Sequence, residues 1–133
     1  MSPKIVPLAG SLVASLVLGF GGIAAAHHSN AAYDLEHPQT MEGTVKAVNW
    51  TNPHITFVIE KDVKNGEAST WVFEVSSPGV LTRSGWTKRS LQPGDHAVFR
   101  YAPLRDGSPG GFLQKVTLPN GQELTYSLTP AEQ

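Results

Sequence analysis

The residues with the most chemistry to offer are five histidines, in a chain of 133 residues that contains no cysteine. Two of them, His27 and His28, adjoin in the stretch AAAHHSNAAYD (24–34), directly after a long apolar run. A histidine that begins a chain chelates through its α-amine and its imidazole together. One further imidazole then completes three nitrogens in a T shape, a donor set that suits copper. Cleavage one or two residues earlier would leave Ala26-His27-His28 or Ala25-Ala26-His27 as the new terminus. Either cut puts histidine third from a free amine, where amine, two backbone amides and imidazole can surround Cu(II) or Ni(II) in a square plane. Every version needs neutral imidazole, so binding is expected to weaken below about pH 6. The plainer alternative is a pair of exposed histidines that only flank a processing site.

That processing site is legible in the residues before it. Lys4 is the single charged side chain of residues 1–26, and an uncharged stretch runs from Ile5 to Ala26. A short basic segment, an apolar core (LAGSLVASLVLGF) and small residues at Ala24 and Ala26 are the three parts of a secretory signal peptide. An uncleaved anchor is the alternative, because the stretch is long enough to cross a bilayer. Pro7, Gly19, Gly21 and Gly22 thin it out, and the alanine exit fits a peptidase. The expected organisation is therefore signal peptide 1–26, N-terminal arm 27–40, β-barrel domain 41–127 and a loose tail 128–133. No membrane span is expected after cleavage, and the protein is expected in the periplasm or secreted.

The other histidines differ in setting. His54 follows the Asn-Pro turn of WTNPH, at the mouth between the first two strands, where it is a candidate third metal ligand. Together with Trp50 and Asn52 it could equally line a surface for a small polar molecule, a glycan or a protein. His37, before Pro38 in the arm, is a further candidate metal ligand, with an ordinary loop histidine as the alternative. His96 opens a strand on the outward parity and is expected to be exposed.

The elements that would position these residues are mostly strands. HITFVIEK (54–61) and STWVFEVS (69–76) alternate apolar and polar residues cleanly, with the Asn65-Gly66 turn between them. TMEGTVKAVNW (40–50) fits less well: Val45 and Ala47 share one face, Val48 and Trp50 the other. A bulge near Ala47 would reconcile the two halves. SPGVLTRSGW offers Ser77 as N-cap, Pro78 at the first helical position and Gly85 as stop, so one short helix is expected. DHAVFRYA (95–102) is a fourth strand, and 112–127 reads as a hairpin about Asn120-Gly121. Val45, Ile55, Phe57, Ile59, Trp71, Phe73, Val75, Phe99, Tyr101, Phe112, Val116 and Leu118 are the expected inward positions. The fold class is all-β with one short helix. A helix between the third and fourth strands of a small antiparallel barrel is the connectivity of the OB-fold. Another small β-sandwich or barrel is the alternative.

Other chemistry is weakly represented. The serines lie in turns or caps without a nucleophile elbow, and no phosphate loop or dinucleotide fingerprint occurs. Glu60 and Glu74 sit on polar strand faces, where cross-strand pairing accounts for them. Arg83, Lys88 and Arg89 cluster at the helix end and fit a solvated face that complements the helix dipole. The net charge of −1 becomes −2 once Lys4 is removed, a poor match to nucleic acid, which rewards a basic face.

The motifs taken in order, AHHS after a signal sequence, EGTVKAVNWTNPH, EVSSPGVLTRSGW, SLQPGDHAVF and DGSPGGFLQKVTLPNGQEL, resemble a family of small exported domains of unknown function from Gram-negative bacteria. The resemblance spans about residues 26–125. It places His27, His28, Trp50, Asn52, Pro53, His54, Ser77, Pro78, Gly85, Trp86, Pro93, Gly94 and Asp95 on motif positions. It implies export and one compact domain, and it supplies no activity.

The expectation is a non-enzymatic exported binding protein with a copper site at its mature N-terminus. A metal-free barrel that binds a ligand or protein through Trp50–His54 is the alternative. A copper-dependent oxidase-like enzyme ranks last, because so short a chain leaves little room for a substrate face.

Overall fold

The structure, a computed structural model, describes residues 30–63 and 65–126. His27, His28, the cleavage region and the tail beyond residue 126 lie outside the described residues. A 3-10 turn (Asn30–Ala32) leads into β1 (Gln39–Asn49), β2 (Thr56–Lys61), β3 (Ser69–Glu74), α1 (Pro78–Arg83), β4 (His96–Pro103), β5 (Gly110–Thr117) and β6 (Glu123–Thr125). Among the described residues no helix is long and apolar enough to cross a membrane.

Five strands close on themselves. The order β3-β2-β1-β4-β5 is antiparallel at each seam, and a parallel β3–β5 pairing joins the two ends. With α1 between β3 and β4, this is OB-fold connectivity, and β6 adds a sixth strand beside β5. The parallel seam distinguishes the barrel from the all-antiparallel one that alternation alone predicts. It is made possible by glycine: a Cβ on Gly110 would collide with the Val72 carbonyl at the seam, and Gly111 beside it similarly spares the Ala102 carbonyl of β4.

Two bulges set which residues face inward. Pairing of β1 with β2 shifts between Val45 and Ala47, so Lys46 is the extra residue. Val45 is buried before the bulge, and Val48 and Trp50 pack on the core after it. Pairing of β4 with β5 steps from Arg100–Lys115 to Tyr101–Leu113. That shift turns Leu113 and Val116 into the core and leaves Phe112 on the other face, outside the core cluster. Phe112 was expected inward, and the unforeseen bulge is the reason it is not.

The core is aromatic at its centre. Phe73 packs on Tyr101 with ring centroids 4.7 Å apart and on Phe99 at 5.8 Å, while Trp71 meets Tyr101 edge-on at 5.7 Å. Trp71, expected inside, is only half-buried. Helix α1 ends as its sequence dictates. Ser77 Oγ accepts from Val80 N, and Gly85 takes φ +89°, the left-handed conformation a helix stop needs. Trp86 N then reaches back to Leu81 O at 3.0 Å, and both side chains are buried. The indole Nε1 donates to Thr125 O at 2.8 Å, tying the helix exit to β6.

Candidate functional site

His54 lies just ahead of β2, after the cis Asn52–Pro53 peptide. Its backbone direction is set by the next residue: Ile55 N donates to Ser76 O, and Val75 N donates to Ile55 O. Ile55 is fully buried, so His54 is turned to the outer face, where it is half-buried. Glu74, between buried Phe73 and Val75, faces out in the same way. Its Oε1 lies 2.7 Å from His54 Nδ1. A carboxylate on Nδ1 fixes the tautomer of a neutral imidazole, with the proton on Nδ1 and the lone pair on Nε2.

The N-terminal arm meets the same carboxylate. Asp34 N donates to Pro103 O at 2.9 Å, Arg105 N donates to Ala32 O at 3.0 Å, and Tyr33 bridges to Leu104. These bonds dock the arm along the end of β4 and carry the Tyr33 ring onto Phe112, centroids 5.4 Å apart. Phe112 is the register partner of Glu74 across the parallel seam. Burial first, then the charge and the hydrogen bond of Glu74, push the Tyr33 hydroxyl up to about 12. Tyr126 covers the other side of Phe112 at 6.2 Å and donates to the Leu113 carbonyl. Its hydroxyl is raised above the usual tyrosine range by burial, with Glu74 and Tyr33 adding to it. His54 and Glu74 thus form a polar pair on the outer face, beside the Tyr33 and Tyr126 rings that pack on Phe112.

The other sequence candidates are placed as follows. His27 and His28 lie outside the described residues. His37 is exposed and its Nδ1 lies 3.0 Å from Asp34 Oδ2 within the arm. That hydrogen bond first, helped by the His37 and Arg105 charges, holds the Asp34 carboxyl below its ordinary range against the opposing effect of burial. Trp50 is half-buried against the core, and Asn52 is exposed. Sequence reasoning missed Tyr33 and left Glu74 as an ordinary surface carboxylate. Nothing local marks either residue, because a chain of contacts through the parallel seam joins them.

Among the described residues, one group of three metal-capable side chains has ligand atoms within 4.8 Å of one another: Glu42, Asp62 and His96. All three are exposed. His96 Nε2 lies 2.6 Å from Asp62 Oδ2.

Fold and site together define a small closed β-barrel whose N-terminal arm is docked on its outer face beside a histidine. The chain belongs to the DUF6152 family, a family of unknown function, whose sequence model matches residues 14–131. No curated protein and no solved structure matches the chain.

Proposed function

We propose that this protein is exported and captures a copper ion at its mature N-terminus, with His54 as a further ligand. The observation that carries the reading is the link from arm to barrel. Backbone bonds dock the arm on the end of β4, the Tyr33 ring lies on Phe112, the seam partner of Glu74, and Glu74 orients His54, so the segment that follows the expected cleavage site is held beside a candidate ligand. Six peptide units separate His27 from Tyr33, and an extended chain spans at most about 3.6 Å per residue, so the terminus stays within roughly 22 Å of that tether. A histidine with a carboxylate on one ring nitrogen is the arrangement in which metal-ligating imidazoles are commonly found. Binding rather than catalysis fits a sequence without a nucleophile elbow, a phosphate loop or a dinucleotide fingerprint.

Intact mass of the exported protein identifies its first residue, and copper titration follows. A form whose α-amine is acetylated is expected to bind Cu(II) at least ~10-fold more weakly, a free-energy difference of about 1.4 kcal/mol. Equal affinity of the two forms would refute a ligand set that includes the free amine.

A further inference from the structure

We propose that Glu42, Asp62 and His96 form a second cation site, one that takes a divalent transition metal such as zinc through two carboxylate oxygens and one imidazole nitrogen. It does not rest on the copper reading: it shares no residue with it, and β2 separates Asp62 from His54.

Three neighbouring strands build the group. Glu42 lies on β1, between buried Met41 and Gly43, and so points outward. On one side, Asp62 follows the last residue of β2, and its N–H donates to Glu42 O at 3.0 Å. On the other side, His96 begins β4 opposite Thr44, diagonal to Glu42 on the same outer face. The backbone under each ligand is held. Gln92 N donates to Asp95 Oδ2 at 2.8 Å, Gly94 N to Val45 O at 2.8 Å, and Val45 N to Asp95 O at 2.9 Å, which fixes the turn that delivers His96.

The charges explain why a cation belongs there. Glu42 and Asp62 face each other across adjacent strands, where like charges oppose pairing. Among the described residues no lysine or arginine forms an ion pair with either carboxylate: Lys46 goes to Glu60, and Lys61 stands over the Trp71 ring. Among the described residues the histidine alone forms an ion pair with either of them, His96 Nε2 to Asp62 Oδ2 at 2.6 Å. Oxygen ligands with a single imidazole suit zinc and its borderline neighbours better than a soft ion. Bonds of about 2.0–2.2 Å in a tetrahedral site put ligand atoms about 3.4 Å apart, leaving the fourth position to water. The ligand atoms lie within 4.8 Å of one another, and rotation of the exposed side chains brings them to that spacing as the 2.6 Å His96–Asp62 pair opens around the ion. The recess beside Glu42 and Asp62, lined also by Thr40, Val63 and Val98, gives an ion access from solvent.

The test is a Zn(II) titration of isotopically labelled, exported full-length protein followed residue by residue by NMR. Saturable shifts of the His96 ring signals and of the residue 42 and 62 amides are expected. The apparent Kd read from those signals should rise at least ~10-fold in Glu42→Gln and in Asp62→Asn. Both substitutions are on the exposed surface, and unchanged signals elsewhere verify the fold. Zinc that shifts only the N-terminal histidines, or that moves the His96 signals with equal affinity in both variants, would overturn the proposal.

Discussion

Oε1 of Glu74 stands 2.7 Å from Nδ1 of His54, and Phe112, the partner of Glu74 across the parallel seam, carries the Tyr33 ring at 5.4 Å. One acidic side chain therefore orients a candidate ligand beside the docked arm that leads back toward His27 and His28. Glu74 owes its place to the barrel closure. It ends β3, pairs with Thr56 on one side and with Phe112 across the parallel seam on the other.

Glu74→Gln keeps the shape and removes the charge. Hydrogen bonds to a charged group contribute about 1.5–3 kcal/mol, and the partial exposure of this one argues for the low end, so a loss of about 1–2 kcal/mol is expected in urea denaturation. The Tyr33 titration should also move back toward 10, though not all the way, because burial is the largest cause of its elevation. A variant with unchanged stability and unchanged tyrosine titration would show that Glu74 does not tether the arm.

All three tyrosines of the chain titrate above their ordinary value of 10.0. Tyr33 is pushed up to about 12, and burial alone raises Tyr101. A raised pKa means the folded state holds protons that the unfolded chain releases. The associated stability is complete below pH 10 and is lost as the pH climbs through about 12 for Tyr33. Tyrosinate absorbance of the folded protein should stay low at pH 10 and rise on denaturation at that pH. One third of the signal appearing with a midpoint near 10, and lost in Tyr33→Phe, would place Tyr33 in solvent and contradict the docked arm.

Gly110→Ala tests the closure of the barrel. The new methyl group would meet the Val72 carbonyl oxygen at the β3–β5 seam, where neither strand can yield without breaking the pairing. Overpacking costs about 1–3 kcal/mol, and a backbone obstacle puts this case at the upper end. Hydrogen exchange should speed at residues 72–74 and 110–112 before it speeds elsewhere. Wild-type stability would show that the seam is not a tight contact.

The strands, the single helix and the need for a bulge in β1 were legible because each is written locally. Clean alternation marks β2 and β3, and the parity switch between Val45 and Val48 has only one cheap structural solution. Ser77, Pro78 and Gly85 spell out the short helix. Leu81 and Trp86 were not counted as core, because their burial follows from the helix-stop geometry that turns both toward the barrel. The second bulge left no comparable trace, since Gly111, Phe112 and Leu113 are all apolar or small and permit either parity. The polar group of Tyr33, His54 and Glu74 and the trio of Glu42, Asp62 and His96 are brought together by strand pairing, which no local pattern reveals.

The mature N-terminus and His54 are proposed to share one copper ion. Electron paramagnetic resonance of the Cu(II)-loaded exported protein, compared with His54→Ala, tests it most directly. Loss of one nitrogen from the superhyperfine pattern, with affinity weakened at least ~10-fold, is the predicted result. An identical spectrum and an identical affinity in His54→Ala would contradict it.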